Sequence, residues 1–136
     1  MEPAIEGGCC CGAVRYRSAG EVTNTMVCHC TSCRRQAGSP VVAWVTVPSD
    51  SFRYTRGHPI EFHSTPPVTR TFCGACGTPL TYQHVKRTAQ IDVTTCSLDE
   101  PARFPPTHHS WLGDDIAWVR FGDGLPGFRE SRPDKS

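Results

Sequence analysis

The sequence predicts a small all-β domain, and three observations support this prediction. Twelve prolines and twelve glycines interrupt the 136 residues, so no stretch with helical periodicity is both long and free of them. Between them lie short runs that alternate in polarity or are rich in β-branched residues, as strands are. Hydrophobic residues make up 38% of the chain, which suffices for one modest core. We therefore expect one domain over residues 1–128 and a frayed polar tail over residues 129–136.

Seven runs have the composition of a strand. In chain order they cover residues 13–17, 41–47, 60–63, 69–72, 80–83, 90–94 and 116–121. Residues 30–37 can form one or two helical turns, with Thr31 as the N-cap and Gly38 as the stop. We expect a further turn at residues 97–100 and an extended loop over the proline-containing segment 103–110.

The charge balance and the lack of long apolar runs argue against several classes of protein. The chain carries 14 Lys and Arg against 13 Asp and Glu, without the clustered basic surplus that binding to nucleic acid requires. The first residues lack the basic and apolar regions of a signal peptide, and no run is long enough to span a membrane. We therefore expect a cytoplasmic protein without a nucleic-acid or membrane partner. Because thiols stay reduced there, metal binding is the leading explanation for its nine cysteines.

The cysteines divide into three clusters, at residues 9–11, 28–33 and 73–76, with Cys96 alone. A Cys-x-x-Cys turn with flanking glycines, as at residues 73–76, directs two thiolates at one metal ion. In extended chain Cys9 and Cys11 would point the same way and Cys10 the opposite way. These two pairs together supply the four ligands of a structural zinc: Cys9, Cys11, Cys73 and Cys76.

The middle cluster supplies the three thiolates of Cys28, Cys30 and Cys33. Three protein ligands leave a fourth position open, which is the arrangement of catalytic zinc. Other residues could instead close this site: Cys10, Cys96, Asp92, His29, His108 or His109. A different partition, in which one cysteine of the third cluster completes the middle cluster, is also compatible with the spacing. Otherwise Cys10 and Cys96 would be small buried hydrophobes, and the ring of His29 would face away from the metal, at the surface or behind the ligands.

Four motifs, in this order, resemble those of the glutathione-dependent formaldehyde-activating enzyme family. They are Gly8-Cys9-x-Cys11-Gly12-Ala13-Val14-Arg15-Tyr16, Cys28-His29-Cys30-x-x-Cys33-Arg34-Arg35, Phe72-Cys73-x-x-Cys76-Gly77-Thr78-x-Leu80 and Leu98-Asp99-x-Pro101. The resemblance extends from about residue 7 to residue 128. It implies an Mss4-like β-tent, in which zinc holds folded antiparallel sheets together. It also implies two zinc ions, one structural and one catalytic, on the same two sets of cysteines.

The resemblance implies a carbon–sulfur lyase that adds a thiol, here glutathione, to formaldehyde or a similar small carbonyl. Arg34 and Arg35 could hold a glutathione carboxylate or be solvated at the surface. Trp44 could form a wall of the substrate pocket or pack in the core. Candidates for the general acid–base residue are His108, His109 and Asp92.

Two other functions are compatible with the sequence. The first is a non-catalytic binding module held together by zinc, which a closed second metal site would favour. The second is a thiol redox enzyme of the methionine sulfoxide reductase kind, which requires a reactive cysteine outside the metal sites. Cys96 is the candidate for that role, but its sequence neighbours include no base.

Overall fold

The computed structural model describes residues 4–133 and shows ten short strands and one α-helix, which confirms the all-β class. In chain order the elements are β1 (Ile5–Gly8), β2 (Arg15–Ser18), β3 (Asn24–Cys28), α1 (Thr31–Ala37), β4 (Val42–Pro48), β5 (Phe52–Arg56), β6 (Ile60–Thr65), β7 (Val68–Phe72), β8 (Pro79–His84), β9 (Gln90–Thr94) and β10 (His109–Ser110). Single 3₁₀ turns connect several of them, including turns at Thr95–Ser97 and Pro101–Arg103 close to the turn predicted at residues 97–100.

The strands form two sheets, as expected for a β-tent. The smaller sheet has the order β1-β2-β5, and the larger one has the order β10-β3-β4-β9-β8-β7-β6. All neighbours are antiparallel except β10, which pairs with β3 in parallel. The main core contains Tyr16 of the smaller sheet and Val45, Leu80 and Val93 of the larger one, each at most 1% exposed. Burial of these side chains holds the sheets against each other.

Six of the seven predicted strands form, and their ends differ from the predicted ones by at most two residues. The prediction for residues 116–121 is wrong, because this segment forms an exposed turn in which the Val119 N–H donates to the Ile116 carbonyl at 2.9 Å. Its Trp118 side chain is 70% exposed. β-Branched and aromatic residues favour a strand only where a neighbouring strand is available, and β10 already occupies the place beside β3.

Four strands were not predicted: β1, β3, β5 and β10. The glycines of β1 suggest a turn, but they pair with β2 and are required by close packing. A Cβ at Gly7 would collide with the Ser97 carbonyl and the Tyr16 ring. The segment 103–110, expected to be a loop throughout, contributes the two residues of β10 at its end.

The helix confirms one predicted cap and corrects the other. Gly38 ends α1 with a left-handed backbone, φ 60°, and donates its N–H to the Arg34 carbonyl. The N-cap is Cys30 and not Thr31, because the Cys30 sulfur accepts the Cys33 N–H at 3.3 Å. The helix start is therefore built from two members of the middle cysteine cluster.

The segment predicted as a frayed tail is partly paired where it is described. The Arg129 and Glu130 carbonyls accept hydrogen bonds from the N–H groups of Gly113 and Trp111, both at 3.0 Å. Residues 134–136 lie outside the described part of the chain. No helix within residues 4–133 is long and apolar enough to cross a membrane.

Candidate metal centre and active site

Two turns bring the first and third cysteine clusters together. After β1 the chain reverses through Gly12, whose φ is 81°, and the Cys9 sulfur accepts the Val14 N–H at 3.2 Å. After β7 it reverses through Gly77, whose φ is 82°, and the Cys73 sulfur accepts the Ala75 N–H at 3.4 Å. Backbone donors that point at sulfur favour thiolates at both turns.

The four sulfurs of these turns fit one tetrahedral metal ion. The Sγ atoms of Cys9, Cys11, Cys73 and Cys76 all lie within 4.8 Å of one another. The Cys9–Cys11 and Cys11–Cys73 sulfur distances are 3.6 and 3.8 Å. Zinc–sulfur bonds of ~2.3 Å in a tetrahedron place the sulfurs ~3.8 Å apart. The predicted quartet is therefore assembled, through a turn rather than through the extended chain that we expected at residues 9–11.

The thiols of this quartet oppose one another's ionisation. Hydrogen bonds from the hydroxyl and the N–H of Thr78 lower the pKa of Cys76 to about 5. For Cys11 the Ala13 N–H acts to lower the pKa, but the Cys9 and Cys76 thiols outweigh it and raise the pKa to about 11. A divalent cation among the sulfurs would allow all four to be thiolates.

The middle cluster brings together its three predicted residues at the junction of β3 and α1. Cys28 ends β3, Cys30 caps α1, and Cys33 lies in the first turn of the helix, with their sulfurs within 4.8 Å of one another. Within residues 4–133, no other cysteine, histidine or carboxylate joins this group. The alternative fourth ligands and the alternative partition of the cysteines therefore find no support in the structure.

These three thiols also cannot all ionise without a cation. Hydrogen bonds from the Cys28 and Cys33 thiols lower the pKa of Cys30, and the proximity of Cys30 and Cys33 raises that of Cys28. Cys28 and Cys33 are each 5% exposed, so water does little to stabilise charge on them. Three convergent thiols of this kind fit a soft divalent metal ion such as zinc.

A cavity of about 290 Å³ opens directly beside the middle cluster. Its walls include the three cysteines, an apolar side and a polar side. The apolar side consists of Met26, Trp44, Val68, Tyr82 and Trp111, and the polar side includes Arg70, Arg87, Asp92 and Asp114. The residues that line this cavity include none of the first quartet, so the middle cluster is the candidate metal centre that adjoins it.

The sequence model of one family, described as glutathione-dependent formaldehyde-activating enzyme, matches residues 4–114. The chain belongs to this family. The match includes all seven cysteines of the two candidate metal centres. The resemblance that the four motifs indicated is thereby confirmed.

Two further proteins are similar to this family member. An uncharacterized lyase of Schizosaccharomyces pombe is 32% identical over 84 residues, which cover 60% of this chain and 59% of that protein. The chain therefore matches about three fifths of the relative's length. A Rhodobacter sphaeroides protein of known crystal structure is 24% identical, with a TM-score of 0.59, and the match covers 70% of this chain and 88% of that one. The second comparison shows a shared fold.

In this member of the formaldehyde-activating family, three residues that line the cavity, Arg70, Tyr82 and Asp92, form a transverse row across neighbouring strands. Arg70 of β7 is paired with Tyr82 of β8, Tyr82 with Asp92 of β9, and Asp92 with Thr46 of β4. Residues that face each other across antiparallel strands project from the same face of a sheet. The register therefore places a cation, a phenol and a carboxylate side by side.

Sequence reasoning missed Arg70, whose guanidinium lies beside the thiol of Cys33. It is 6% exposed, its Nη2 lies 3.8 Å from the Cys33 sulfur, and its Nε donates to the Ser64 hydroxyl at 3.2 Å. Its guanidinium also lies over the Tyr82 ring, 4.9 Å from the centroid. The signal in the sequence is an arginine inside the strand predicted at residues 69–72. A charged residue in a strand is usually on the face that contacts solvent, so this signal does not indicate burial.

The predicted substrate residues fall in different places. Trp44 is 4% exposed, lines the cavity and packs against Tyr82 at a centroid distance of 6.0 Å, so it belongs to both the core and the pocket. Arg34 and Arg35 are not among the residues that line the cavity. Arg34 donates to the Thr31 hydroxyl at 3.1 Å, and Arg35 is exposed.

Of the three acid–base candidates, Asp92 alone lines this cavity, where its Oδ1 accepts the Thr46 hydroxyl at 2.6 Å. His108 is buried elsewhere, 1% exposed. His109 lies outside the cavity, with Nε2 2.8 Å from Asp123 Oδ2 and Nδ1 2.9 Å from Nε2 of His29.

Three remaining expectations concern residues beside the clusters. His29 is 2% exposed and its ring contacts His109, so it lies behind the ligands and not at the surface. Cys10 and Cys96 are both exposed, contrary to the expectation of small buried hydrophobes. Cys10 lies on the outside of a turn and Cys96 in a 3₁₀ turn, where the sulfur has no packed layer to enter.

Proposed function

We propose that this protein is a zinc-dependent carbon–sulfur lyase of the formaldehyde-activating family. In the direction of synthesis it adds the sulfur of glutathione to formaldehyde, or to a similar small carbonyl, and forms S-hydroxymethylglutathione. The observation that carries the proposal is the group of three convergent thiols that opens onto the cavity. The family and the similarity to a protein named as a lyase support it. We place the reaction in the cytoplasm, where thiol substrates are reduced.

Seven cysteines would hold two zinc ions in this proposal. Cys9, Cys11, Cys73 and Cys76 would hold a structural ion between the two sheets. Cys28, Cys30 and Cys33 would hold the second ion, which supplies a position that favours a thiolate over a thiol. A non-catalytic binding module would need a fourth protein ligand there, and none lies in the group within residues 4–133.

The residues around the cavity would orient the two reactants and move one proton. Asp92 takes the proton of the incoming thiol, and the sulfur then attacks the carbonyl carbon. The carbon–oxygen π bond breaks, and Asp92 returns the proton to the oxygen, which yields the hydroxymethyl thioether. Cleavage is the reverse of these steps. Trp44 and Tyr82 form walls that limit access of water to the reacting atoms.

Metal counting by mass spectrometry under native conditions tests the two-site arrangement. We expect two zinc ions in the wild-type protein and one in Cys30→Ala, with the β-sheet circular dichroism retained. Formation of S-hydroxymethylglutathione, followed by NMR, should exceed the uncatalysed rate with the wild-type protein and not with Cys30→Ala. A single zinc in the wild-type protein, or full activity in the variant, contradicts the proposal.

Cys96→Ser provides the matched control. This thiol is exposed and outside both clusters, so the variant should retain two zinc ions and the wild-type rate. If Cys96→Ser abolishes thiol chemistry while both ions remain bound, the redox function on Cys96 is favoured instead.

A further inference from the structure

The guanidinium of Arg70 is buried beside the middle cysteine cluster. We propose that Arg70 balances the negative charge of the three-cysteine centre and thereby selects an anionic sulfur ligand over a neutral ligand in the cavity. This inference rests on the proposed function and assigns the specificity of the same site to a residue outside the metal ligands.

The position of Arg70 is fixed on three sides. Ser64 accepts from its Nε at 3.2 Å, the Tyr82 ring lies beneath the guanidinium at 4.9 Å, and Cys33 Sγ lies 3.8 Å from Nη2. A charged side chain that is 6% exposed requires a partner of opposite charge, because burial removes the solvation of the ion. A negatively charged Cys33 sulfur supplies that partner.

The charge count explains why such a cation matters. Three thiolates and one divalent ion carry a net charge of −1, and a bound substrate thiolate would bring the total to −2 in a largely buried site. Arg70 reduces that total to −1.

The other charged groups of the cavity do not replace Arg70. Asp92 and Asp114 are acidic and add to the negative potential. Arg87 is the second cation of the wall, and its Nη2 donates to Gln90 Oε1 at 2.6 Å. The Nη2 atom of Arg70, in contrast, lies 3.8 Å from a sulfur of the cluster, that of Cys33. A neutral ligand would gain much less from its charge than a thiolate would.

Ligand binding to the cobalt-substituted protein at one fixed pH tests the inference without any turnover. The probes are 2-mercaptoethanol, a thiol without a carboxylate, and imidazole, a neutral ligand, both followed through the visible absorption of cobalt. In Arg70→Gln we expect about 10- to 100-fold weaker binding of the thiol, as for loss of a charged hydrogen-bond donor. Imidazole binding should change by less than about twofold, and Arg70→Lys should recover part of the loss because the charge is kept.

Two further variants keep the test decisive if Arg70→Gln does not fold. Ser64→Ala leaves the charge but removes the Nε partner, so a smaller loss that affects only the thiol is expected. Arg53→Gln replaces an exposed arginine of the smaller sheet and should bind both probes as the wild type does.

The outcomes separate this inference from the proposed function. Equal losses for thiol and imidazole, or no loss for either, overturn the role of Arg70 while the proposed function stands. A wild-type protein that binds the thiol through Arg70 but forms no S-hydroxymethylglutathione overturns the proposed function and leaves the specificity of Arg70 intact. Failure of the wild-type protein to bind any thiol overturns both.

Discussion

The carboxylate of Asp92 is held in the wall of the cavity, where our proposal places the proton transfer. It is 8% exposed, accepts the Thr46 hydroxyl and faces the cavity beside Tyr82. The pKa of Tyr82 is raised, mainly by burial and in part by the charge of Asp92, so the phenol stays protonated in neutral solution. Our proposed mechanism therefore assigns the proton transfer to Asp92 and not to Tyr82.

Replacing Asp92 with asparagine should slow adduct formation by about 10²- to 10⁴-fold, the usual contribution of a general acid–base group. The amide oxygen of Asp92→Asn can still accept the Thr46 hydroxyl, so metal content and thermal stability should remain close to those of the wild type. Initial rates measured by NMR, with Asp50→Asn as an exposed control, check this. An unchanged rate would assign the proton transfer to another group.

At this scale the sequence predicts which cysteines converge and names Trp44 and Asp92 of the cavity wall, but it does not single out Arg70. Cysteine spacing predicts which sulfurs converge, because a Cys-x-x-Cys turn restricts where two thiols can point. Arg70 and Arg34 are the same residue type, and nothing in the sequence around them indicates which one is buried. Arg70 is buried and lines the cavity, whereas Arg34 lies outside it. That distinction depends on how strands pair, which single residue types do not encode.

At the scale of the elements, strand register determines which side chains meet in the wall of the cavity. Arg70, Tyr82 and Asp92 come from three successive strands, and a slip of one residue in any pair would turn a member to the opposite face. The runs at residues 69–72, 80–83 and 90–94 were predicted as strands, but their relative register was not. The bulge between Thr71 and Phe72 is a local feature of this kind, and it leaves Arg70 paired with Tyr82.

The end of α1 offers a test of how much its left-handed glycine contributes to stability. Gly38→Ala places a side chain in the left-handed conformation at the end of α1, which should destabilise the protein by about 1 kcal/mol. No atom crowds a Cβ at this position, so the cost comes from the backbone alone. Urea unfolding of the variant measures it.

Gly122→Ala is the matched control for this substitution. A Cβ at Gly122 also meets no neighbour, and its φ is not in the left-handed region, so stability should be unchanged. Equal stability of Gly38→Ala and the wild type would show that the helix end relaxes to another conformation without cost.

The failed strand at residues 116–121 illustrates the limit of element prediction. Its alternation and aromatic content are those of a strand, and the run at residues 41–47, with similar content, does form one. The difference lies in the surroundings, since β4 has partners on both sides whereas the β3 edge is closed by β10. Propensity therefore identifies candidates, and the available hydrogen-bonding edge decides between them.

At the scale of the molecule, the first cysteine quartet connects the two sheets. Cys9 and Cys11 follow a strand of the smaller sheet, and Cys73 and Cys76 lie between two strands of the larger one. Structural zinc sites contribute about 10–16 kcal/mol in small domains, which is as large as the ~5–15 kcal/mol net stability of most proteins.

We therefore expect Cys73→Ser to prevent stable folding and Cys33→Ser to leave a folded protein that has lost one metal ion. Circular dichroism melts combined with metal counting distinguish the two. A Cys73→Ser protein that melts at the wild-type temperature would show that the quartet does not hold the sheets together.

A salt bridge also joins distant parts of the fold and should make stability depend on pH. Arg15 of β2 donates two hydrogen bonds, of 2.8 and 2.6 Å, to the carboxylate of Asp99. This contact lowers the pKa of Asp99 below its ordinary value. The stabilisation is therefore complete above the ordinary aspartate pKa of ~3.9 and disappears as the pH falls through the lower pKa of the folded state.

Asp99→Asn should cost up to about 1 kcal/mol at pH 7, since both partners are partly exposed. The difference in unfolding free energy between variant and wild type should shrink as the pH falls below the ordinary aspartate pKa of ~3.9. Urea unfolding of both proteins across this range measures the difference, so any acid-induced loss of metal common to both cancels. A difference that does not vary with pH would mean that the pair contributes packing and not charge.

The two ends of the larger sheet bear on how the protein behaves at high concentration. One end is β10, only two residues long, and the other is β6, whose pairing with β7 is interrupted by a register shift between Phe62 and Thr65. Neither edge offers a long regular row of free backbone donors and acceptors to the sheet of another molecule. We therefore expect the folded protein to resist ordered aggregation, although a third of its chain is strand.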